Sequence, residues 1–378
     1  MDSASPLIAP LFLHGNPEDT MTIETNTRTP LLWKALSITA LAAAAALTLS
    51  GCVAGEGSAI GANDAPAAEG AAAEGWSADV LNIDFATYNP LSLIIKDQGW
   101  IEETLGDDVT VNWIQSAGSN KANEALRAGA VDVGSTAGSA ALLARSNDAP
   151  IKTIDVYSQP NWSAIVVPAG SDITEVSDLA GKSVAATKGT DPYFFLLQSL
   201  AEAGVDLADV DVQNLQHADG KAALESGAVD AWSGLDPLLS TSIATAGSEI
   251  IYDNIDFNSY GFLNATETFL DASPDLAQVV VNAYEKARAF AIDDPEATSA
   301  ILAEVAGIDP AIATAVIADR TNLDIDPVPG DDQTAVLEVI GPIFVESGDV
   351  VSQDKIDIAL DTLYAPEFAE NADPSAVG

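Results

Sequence analysis

Small polar residues recur where predicted strands run into predicted helices. These turns combine glycines, which leave backbone N–H groups accessible, with serine and threonine hydroxyls. A helix N-terminus adds a dipole that favours negative charge, so several such turns brought together could bind an anion with few formal charges. The turns with this character are residues 86–91, 115–120, 134–139, 187–193 and 232–237.

Each of these turns also fits plain helix capping. Ser119 is placed to cap the helix that follows it. Asp191-Pro192 fits an N-cap followed by the first helical residue, and Asp236-Pro237 likewise fits a helix start. Asp191 would repel an anion at its own helix end. Lys188 could supply a local positive charge or could be a solvated surface lysine.

Three aromatic residues lie close to the same turns. Tyr88, Tyr193 and Trp232 could form a wall for an apolar part of a ligand, or could belong to the core. The sequence leaves both readings open.

Residues suited to catalysis or metal binding are scarce. The chain has one cysteine, Cys52, which excludes an intrachain disulfide and a CxxC site, and two histidines, His14 and His217. No Ser/His/Asp order, metal-ligand spacing or GxxxxGK[ST] loop appears. We therefore expect no catalytic residue, no metal and no cofactor, and we expect His217 at the surface rather than in a cleft.

The elements that position these turns follow an alternating order. Val80–Phe85 is predicted as a strand, and residues 90–105 as a helix, followed by a strand at 109–114, a helix at 120–128 and a strand at 131–135. Alternation of strands with helical segments predicts an α/β fold with a mainly parallel, covered sheet.

The order recurs later in the chain. Residues 109–132 and 210–230 share a strand, a polar turn, a short helix and the sequence Gly-Ala-Val-Asp. The repeat indicates two similar lobes, whose loops beyond the carboxyl ends of the strands would line a cleft. Chance similarity of two βαβ units is the alternative.

The N-terminal region has the layout of a secretory signal. Residues 35–49 are apolar, Arg28 and Lys34 precede them, and the run is shorter than the ~20 residues that span a bilayer. Residues 49–52 resemble the lipobox of bacterial lipoproteins, in which Cys52 would be lipidated. We expect a signal peptide at 1–51, with Met1 or Met21 as the start, and a Gly/Ala/Glu-rich tether at 52–78. A buried or membrane helix is the alternative.

Charge restricts the partners. With 57 acidic and 14 basic residues the formal net charge is −43. Nucleic acid is excluded as a partner because phosphate contacts require Lys and Arg. We expect a monomer that resists self-association, and the acid excess suggests a salty habitat.

From residue 80 to about 290 the sequence resembles the periplasmic solute-binding proteins of ABC importers for aliphatic sulfonates, taurine and nitrate. The resemblance rests on the order and spacing of several short motifs. They are residues 88–91, 117–118, 134–136, 155–157, 178–182, 188–190, 229–232, 236–237 and 260–262.

The resemblance implies a two-lobed periplasmic-binding-protein fold of type II, with α/β lobes joined by two crossover strands near 163–168 and 259–266. Lobe 1 would begin at 79–165, lobe 2 would be 166–258, and 259–378 would return to lobe 1 and end in helices. The closed lobes would deliver the anion to a permease with its ATPase. The protein would be tethered by lipid outside the cytoplasmic membrane.

Ligand-binding positions are implied by the same resemblance. They are Tyr88, Asn89, Ser116, Gly118, Thr136, Ala137, Thr190, Tyr193 and Trp232. No cofactor is implied.

Two departures bear on the ligand. The family often has an acidic residue after the Gly-Ser-Thr turn, where this chain has residues 138–140, and its Lys-Gly-Ser-Ser turn is replaced by residues 188–192. The first departure makes taurine less suitable than a plain aliphatic sulfonate. Nitrate, taurine, a thiamine-precursor pyrimidine, an enzyme of thiamine-precursor metabolism and a receptor's sensing domain remain alternatives.

Overall fold

A computed structural model describes residues 75–378. The predicted signal peptide, Cys52 and most of the predicted tether lie outside this range. The strands are β1 (Val80–Phe85), β2 (Thr110–Gln115), β3 (Val133–Ala137), β4 (Ile151–Ser158), β5 (Ser163–Val167), β6 (Ser183–Ala186), β7 (Asp211–Asn214), β8 (Ala231–Leu235), β9 (Glu249–Tyr252) and β10 (Gly261–Thr266).

Helices alternate with these strands and then follow them. They are α1 (Pro90–Gln98), α2 (Trp100–Leu105), α3 (Ser119–Arg127), α4 (Gly138–Ser146), α5 (Asp191–Ala203), α6 (His217–Glu225), α7 (Leu238–Ala246), α8 (Glu267–Ala272), α9 (Pro274–Asp293), α10 (Pro295–Ala306), α11 (Pro310–Arg320), α12 (Asp331–Glu346), α13 (Gln353–Thr362) and α14 (Glu367–Glu370). Within residues 75–378 no helix combines the length and apolarity needed to cross a bilayer.

Two five-stranded sheets form the two lobes. Lobe 1 has the order β2-β1-β3-β10-β4 and lobe 2 the order β7-β6-β8-β5-β9. In each sheet the first three strands are parallel, and the crossover strand, β10 or β5, is antiparallel to both of its neighbours. The α/β fold with two lobes and two crossover strands is confirmed.

The repeated Gly-Ala-Val-Asp sequences have the same structural role in both lobes. Gly129 and Gly227 follow α3 and α6 with φ of 65° and 72°, the left-handed region that glycine adopts without strain. Asp132 accepts a hydrogen bond from Asn82 N at 2.8 Å, and Asp230 accepts one from Ser183 N at 2.8 Å. Each aspartate therefore ties its strand to the start of the neighbouring parallel strand.

The segment predicted as one helix over 90–105 is two helices. Gly99 has φ of 67° and donates its N–H to Ile95 O, so it ends α1 and turns the chain into α2. Both helices bury apolar side chains against lobe 1, including Leu91 and Ile101.

Two expected turns are in large part strand. Residues 133–137 pair with β10, and residues 232–235 pair with β5. The small polar residues predict turns locally. The strands that pair with these segments, β10 and β5, lie far away in the sequence, so the pairing could not be predicted from the local pattern.

Helix α12 contacts both lobes. It packs against α4 of lobe 1 and α5 of lobe 2, where the rings of Phe344 and Phe194 have centroids 4.4 Å apart. The long helix α9 belongs to the lobe 1 core, in which Leu276, Val280 and Tyr284 are buried.

Candidate functional site between the lobes

Loops at the carboxyl ends of the parallel strands in one lobe contact the corresponding loops of the other. The loop after β2 lies against the loop after β7, and the start of α4, after β3, lies against the start of α5, after β6. This is the edge at which open α/β sheets bind ligands. The candidate site is the surface where these loops meet.

Two linkers join the lobes, residues 159–162 before β5 and residues 253–260 before β10. Asp191 contacts lobe 1 and both linkers. Its buried carboxylate accepts hydrogen bonds from Ser139 Oγ of lobe 1 at 2.6 Å and from Trp162 Nε1 of the first linker at 2.8 Å. Ser259, in the second linker, donates its N–H at 2.9 Å and its hydroxyl at 2.6 Å. With four donors the carboxylate is fully hydrogen-bonded, so it acts as a resident anion that holds the lobes together.

Gly118 of lobe 1 and His217 of lobe 2 lie directly against each other. A methyl group added to Gly118 would lie 2.9 Å from His217 Nε2 and 3.0 Å from Asn120 Oδ1. Asn120 also reaches lobe 2, where its amide donates to Gln216 Oε1 at 3.4 Å. We call Gly118, Asn120, Gln216 and His217 the seam.

His217 is buried, with 2% of its surface exposed, which corrects the expected surface position. It begins α6 directly after the loop that packs on lobe 1, and this contact is not visible in the local sequence. Burial lowers the pKa of His217 to about 4, so the ring is neutral at pH 7.

An aromatic cluster lies beneath the lobe 1 loops. The ring of Trp162 makes edge contacts with Tyr88 and Tyr157, at centroid distances of 6.0 and 6.5 Å, and Tyr157 also lies near Tyr284. Among residues 75–378 no hydrogen-bond partner is found for the buried Tyr157 hydroxyl.

Asp84 is a second buried acid of this region. Ser135 donates to it from N at 2.8 Å and from Oγ at 3.1 Å, and the Tyr88 hydroxyl donates to Ser135 O at 2.9 Å. Burial raises the pKa of Asp84 to about 7, despite the lowering effect of hydrogen bonds from Ser116 and Ser135. Burial also raises the pKa of Asp191 to about 6.

Arg320 brings a cation to the site from the end of α11. Its guanidinium pairs with the buried Asp236 of lobe 2 and lies 3.3 Å from Asp253. Arg320 Nη2 is buried with no hydrogen-bond partner in the described part of the chain. A cavity of about 10 Å³ is lined by Arg320, Asp236, Tyr88, Ser158 and Trp162, among others.

The predicted site residues of lobe 1 lie at or just beyond the carboxyl ends of β1, β2 and β3. Asn89 accepts a hydrogen bond from Ser92 N and caps α1, while its amide donates to Tyr284. Ser116 and Gly118 lie in the loop after β2. Thr136 accepts a hydrogen bond from Asn264, and the N–H of Ala137 donates to Ser119 Oγ.

The predicted residues of lobe 2 are less closely grouped. Thr190 precedes α5 and donates its hydroxyl to Thr187 O. Tyr193 packs in a core cluster that contains residues of both lobes, and the Lys188 ammonium lies 5.4 Å from its ring centroid. Trp232 packs in a core cluster with Leu224 and Leu239, against Gly220.

Two expected caps are different in the structure. Gly118 precedes α3, and Ser119 is the first residue of that helix. The Ser119 hydroxyl accepts a hydrogen bond from Ala137 N and does not cap the helix. Asp191 is the first residue of α5 rather than its cap, so its carboxylate points to the linkers and lobe 1. In both cases a partner from another part of the chain takes the side chain away from the helix end.

Sequence reasoning missed several residues of this site. They are Asp84, Asn120, Ser139, Trp162, Ser259 and Arg320. Ser139 and Asn120 lay within turns already singled out, whereas Arg320 comes from a C-terminal helix that no local pattern connects to the site. No cluster of three or more His, Cys, Asp or Glu suited to a metal ion occurs within residues 75–378.

Comparisons with known proteins agree with this architecture. The model of the family described as "NMT1/THI5 like" matches residues 94–298. A relative from Escherichia coli K12, named putative aliphatic sulfonates-binding protein, is 29% identical over 220 residues, which are 58% of this chain and 69% of the relative.

Solved structures share the fold. The alkanesulfonate-binding protein SsuA from Xanthomonas axonopodis pv. citri, bound to MOPS, matches with a TM-score of 0.68 and 23% identity, over 76% of this chain and 99% of that one. The desulfurization enzyme DszB matches with a TM-score of 0.58 and 17% identity, over 78% and 98%. The fold therefore serves both binding proteins and an enzyme.

The family model covers more than half of the chain, and the two-lobed structure agrees with it. The chain therefore belongs to the NMT1/THI5-like family, with the fold of the two-lobed periplasmic binding proteins.

Proposed function

We propose that this protein is an extracytoplasmic solute-binding lipoprotein that captures a small organic anion, an aliphatic sulfonate, between its lobes and delivers it to an ABC importer permease. The observation that carries the proposal is the meeting of polar loops from both lobes at the carboxyl ends of the strands. The names of the sulfonate-binding relatives support this ligand class.

Arg320 is the cation we assign to the sulfonate. Its buried Nη2 has no hydrogen-bond partner within residues 75–378, and with Tyr88 and Trp162 it borders a cavity of about 10 Å³, which would have to widen to admit a sulfonate. A planar guanidinium donates well to an oxyanion, and the two aromatic rings would contact the alkyl part of the solute. Asp236 and Asp253 already pair with the guanidinium, so Arg320 would act on the sulfonate through its Nη2 N–H groups and not through excess positive charge.

Closure follows from contacts made on both sides of the solute. A solute that contacts both lobes favours the state in which they meet, because only that state offers all of its contacts. Asp191 assists by accepting hydrogen bonds from both linkers and from Ser139. The closed form would then dock on the permease.

The ligand class is tested by thermal shift and calorimetry with alkanesulfonates, taurine, nitrate, sulfate and pyrimidines. An alkanesulfonate at about 100 times its Kd should stabilise the protein by about 2.7 kcal/mol. Nitrate or a pyrimidine binding in place of every sulfonate would contradict the proposal. Release of sulfite from a bound sulfonate would indicate an enzyme instead.

The lipid anchor is tested at Cys52, the cysteine of the Leu49-Ser-Gly-Cys52 sequence. In cells supplied with labelled palmitate we expect the wild-type protein to incorporate label and to remain with membranes. The Cys52→Ser variant should do neither. A labelled Cys52→Ser protein, or an unlabelled wild-type protein, would contradict the anchor.

A further inference from the structure

Arg288 is a buried cation on α9, outside the site described above. Its Nε and Nη2 donate to Glu285 of the same helix at 3.1 and 3.0 Å. The buried Asp155 of β4 lies 3.7 Å from Nη2, and neither of its carboxylate oxygens has a hydrogen-bond partner among residues 75–378. Taking these ions out of water costs free energy that apolar side chains would not cost, so stability alone is a weak explanation for the arginine.

The other N–H groups of Arg288 join two separate segments of backbone. Nη2 donates to Val156 O at 2.7 Å and Nη1 to Tyr157 O at 3.1 Å, both near the end of β4. Nη1 also donates to Leu323 O at 3.1 Å, in the segment that follows α11. A planar guanidinium holds several acceptors in fixed directions, which the ammonium of a lysine on its flexible stem does not.

The segment that follows α11 runs along the first linker. We call residues 320–323 the strap. Asn161 N donates to Arg320 O at 3.0 Å, and Gln159 N donates to Asn322 O at 2.9 Å. The strap is therefore hydrogen-bonded to the linker at two of its residues and to Arg288 at a third, Leu323.

The strap and the linker line the same cavity. Arg320 and Thr321 belong to the strap, and Ser158, Pro160 and Trp162 lie at the end of β4 and in the linker. Arg288 contacts the strap at its last residue and β4 at the residue before Ser158. It therefore holds together the two segments between which a solute would have to enter.

We propose that Arg288 is a positioning residue of the solute site, which locks the strap to the end of β4 so that Arg320 keeps the place from which its Nη2 meets the sulfonate. This inference rests on the proposed function, since Arg320 needs a sulfonate between the lobes. Arg288 itself does not contact the solute, because the protein accepts hydrogen bonds from all five of its N–H groups.

The test is calorimetric titration of the wild-type protein, Arg288→Met, Arg320→Met and the double variant with linear alkanesulfonates, from methanesulfonate to octanesulfonate. Arg288→Met should weaken binding at least about tenfold, because a misplaced Arg320 loses its contact. The double variant should bind no more than about threefold more weakly than Arg320→Met, because nothing is left to position. A merely structural role would multiply the two losses.

Arg145→Met is the matched control. Arg145 is also a largely buried arginine of lobe 1, but its hydrogen bonds go to Glu267, Ala149 and Thr362 and not to the strap. Its removal should leave the affinity for alkanesulfonates within about threefold of the wild-type value.

Hydrogen exchange measures the strap directly. The amide protons of Gln159 and Asn161, which donate to strap carbonyls, should exchange at least about tenfold faster in Arg288→Met and unchanged in Arg145→Met. If Arg288→Met does not fold because Glu285 loses its cation, Arg288→Met/Glu285→Gln removes that charge as well and replaces it in every measurement.

The outcomes separate this inference from the proposed function. Wild-type affinity in Arg288→Met, losses that multiply in the double variant, or unchanged exchange of the two amides would overturn the positioning role and leave sulfonate binding intact. A wild-type protein that binds no alkanesulfonate would overturn the proposed function, and this inference with it.

Discussion

At the scale of single residues, Gly118 decides how closely the lobes approach. Its φ of 165° is extended backbone that any residue adopts, so its lack of a side chain matters only across the seam. His217 and Asn120 occupy the space that a methyl group would need. Gly118 was expected from the family resemblance to contact the ligand, and the seam gives it a second role.

Gly118→Ala should therefore impair closure without harming the fold. We expect solute affinity to fall at least about tenfold, while the free energy of unfolding changes by less than about 0.5 kcal/mol. Titration calorimetry and urea unfolding measure the two effects. Gly330→Ala is the control, because its added Cβ would meet only a backbone oxygen at 4.0 Å. Wild-type affinity in Gly118→Ala would contradict the closed seam.

Asp84 should make stability depend on pH. Burial raises its pKa to about 7, so the folded state binds the proton more tightly than the unfolded chain. The stability contributed by protonated Asp84 is fully present below about pH 4 and is lost as the pH rises through 7, at up to about 1.4 kcal/mol per pH unit.

Asp84→Asn should remove the part of the pH dependence of stability that Asp84 contributes. Urea unfolding at pH 5 and pH 7 should show a smaller loss of stability in the variant than in the wild-type protein. His217, whose lowered pKa acts in the opposite direction between about pH 4 and 6.5, is the same in both proteins and cancels. Exposed Asp107→Asn is the control. If Asp84→Asn lost as much stability between pH 5 and pH 7 as the wild-type protein, the raised pKa of Asp84 would be contradicted.

At the scale of elements, the site is assembled from segments remote in sequence. The strand-helix order and the repeated unit could be predicted because hydrophobic periodicity and C-terminal glycines are local signals. The extension of β3 to Ala137 and of β8 to Leu235 could not be predicted, because it depends on pairing with β10 and β5, which lie far away in the sequence. The contribution of α11 could not be predicted for the same reason.

Helix α11 should be linked to lobe 2 by its final residue. Arg320→Met leaves Asp236 buried without its cation, and we expect a loss of about 3 kcal/mol in chemical denaturation. The double variant Arg320→Met/Asp236→Asn should recover much of this loss because it removes the unpaired charge as well. Equal losses in the single and double variants would show that the ion pair does not carry the effect.

At the scale of the whole molecule, two lobes of similar topology meet through polar loop contacts, two linkers and helix α12, which packs on both lobes. The repeat of residues 109–132 at 210–230 was the sequence signal for this architecture, and the two copies occupy equivalent sheet edges. The residues that face each other across the lobes could not be paired from sequence, because the relative placement of two lobes leaves no periodic pattern. His217 is the clearest case.

The central claim is that a sulfonate is held between the lobes and draws them together. Small-angle X-ray scattering, with and without the tightest-binding sulfonate, tests it most directly. We predict a smaller radius of gyration for the wild-type protein with the sulfonate, and a much weaker change for Gly118→Ala at the same saturation. Identical scattering of the wild-type protein with and without a saturating sulfonate would contradict the account.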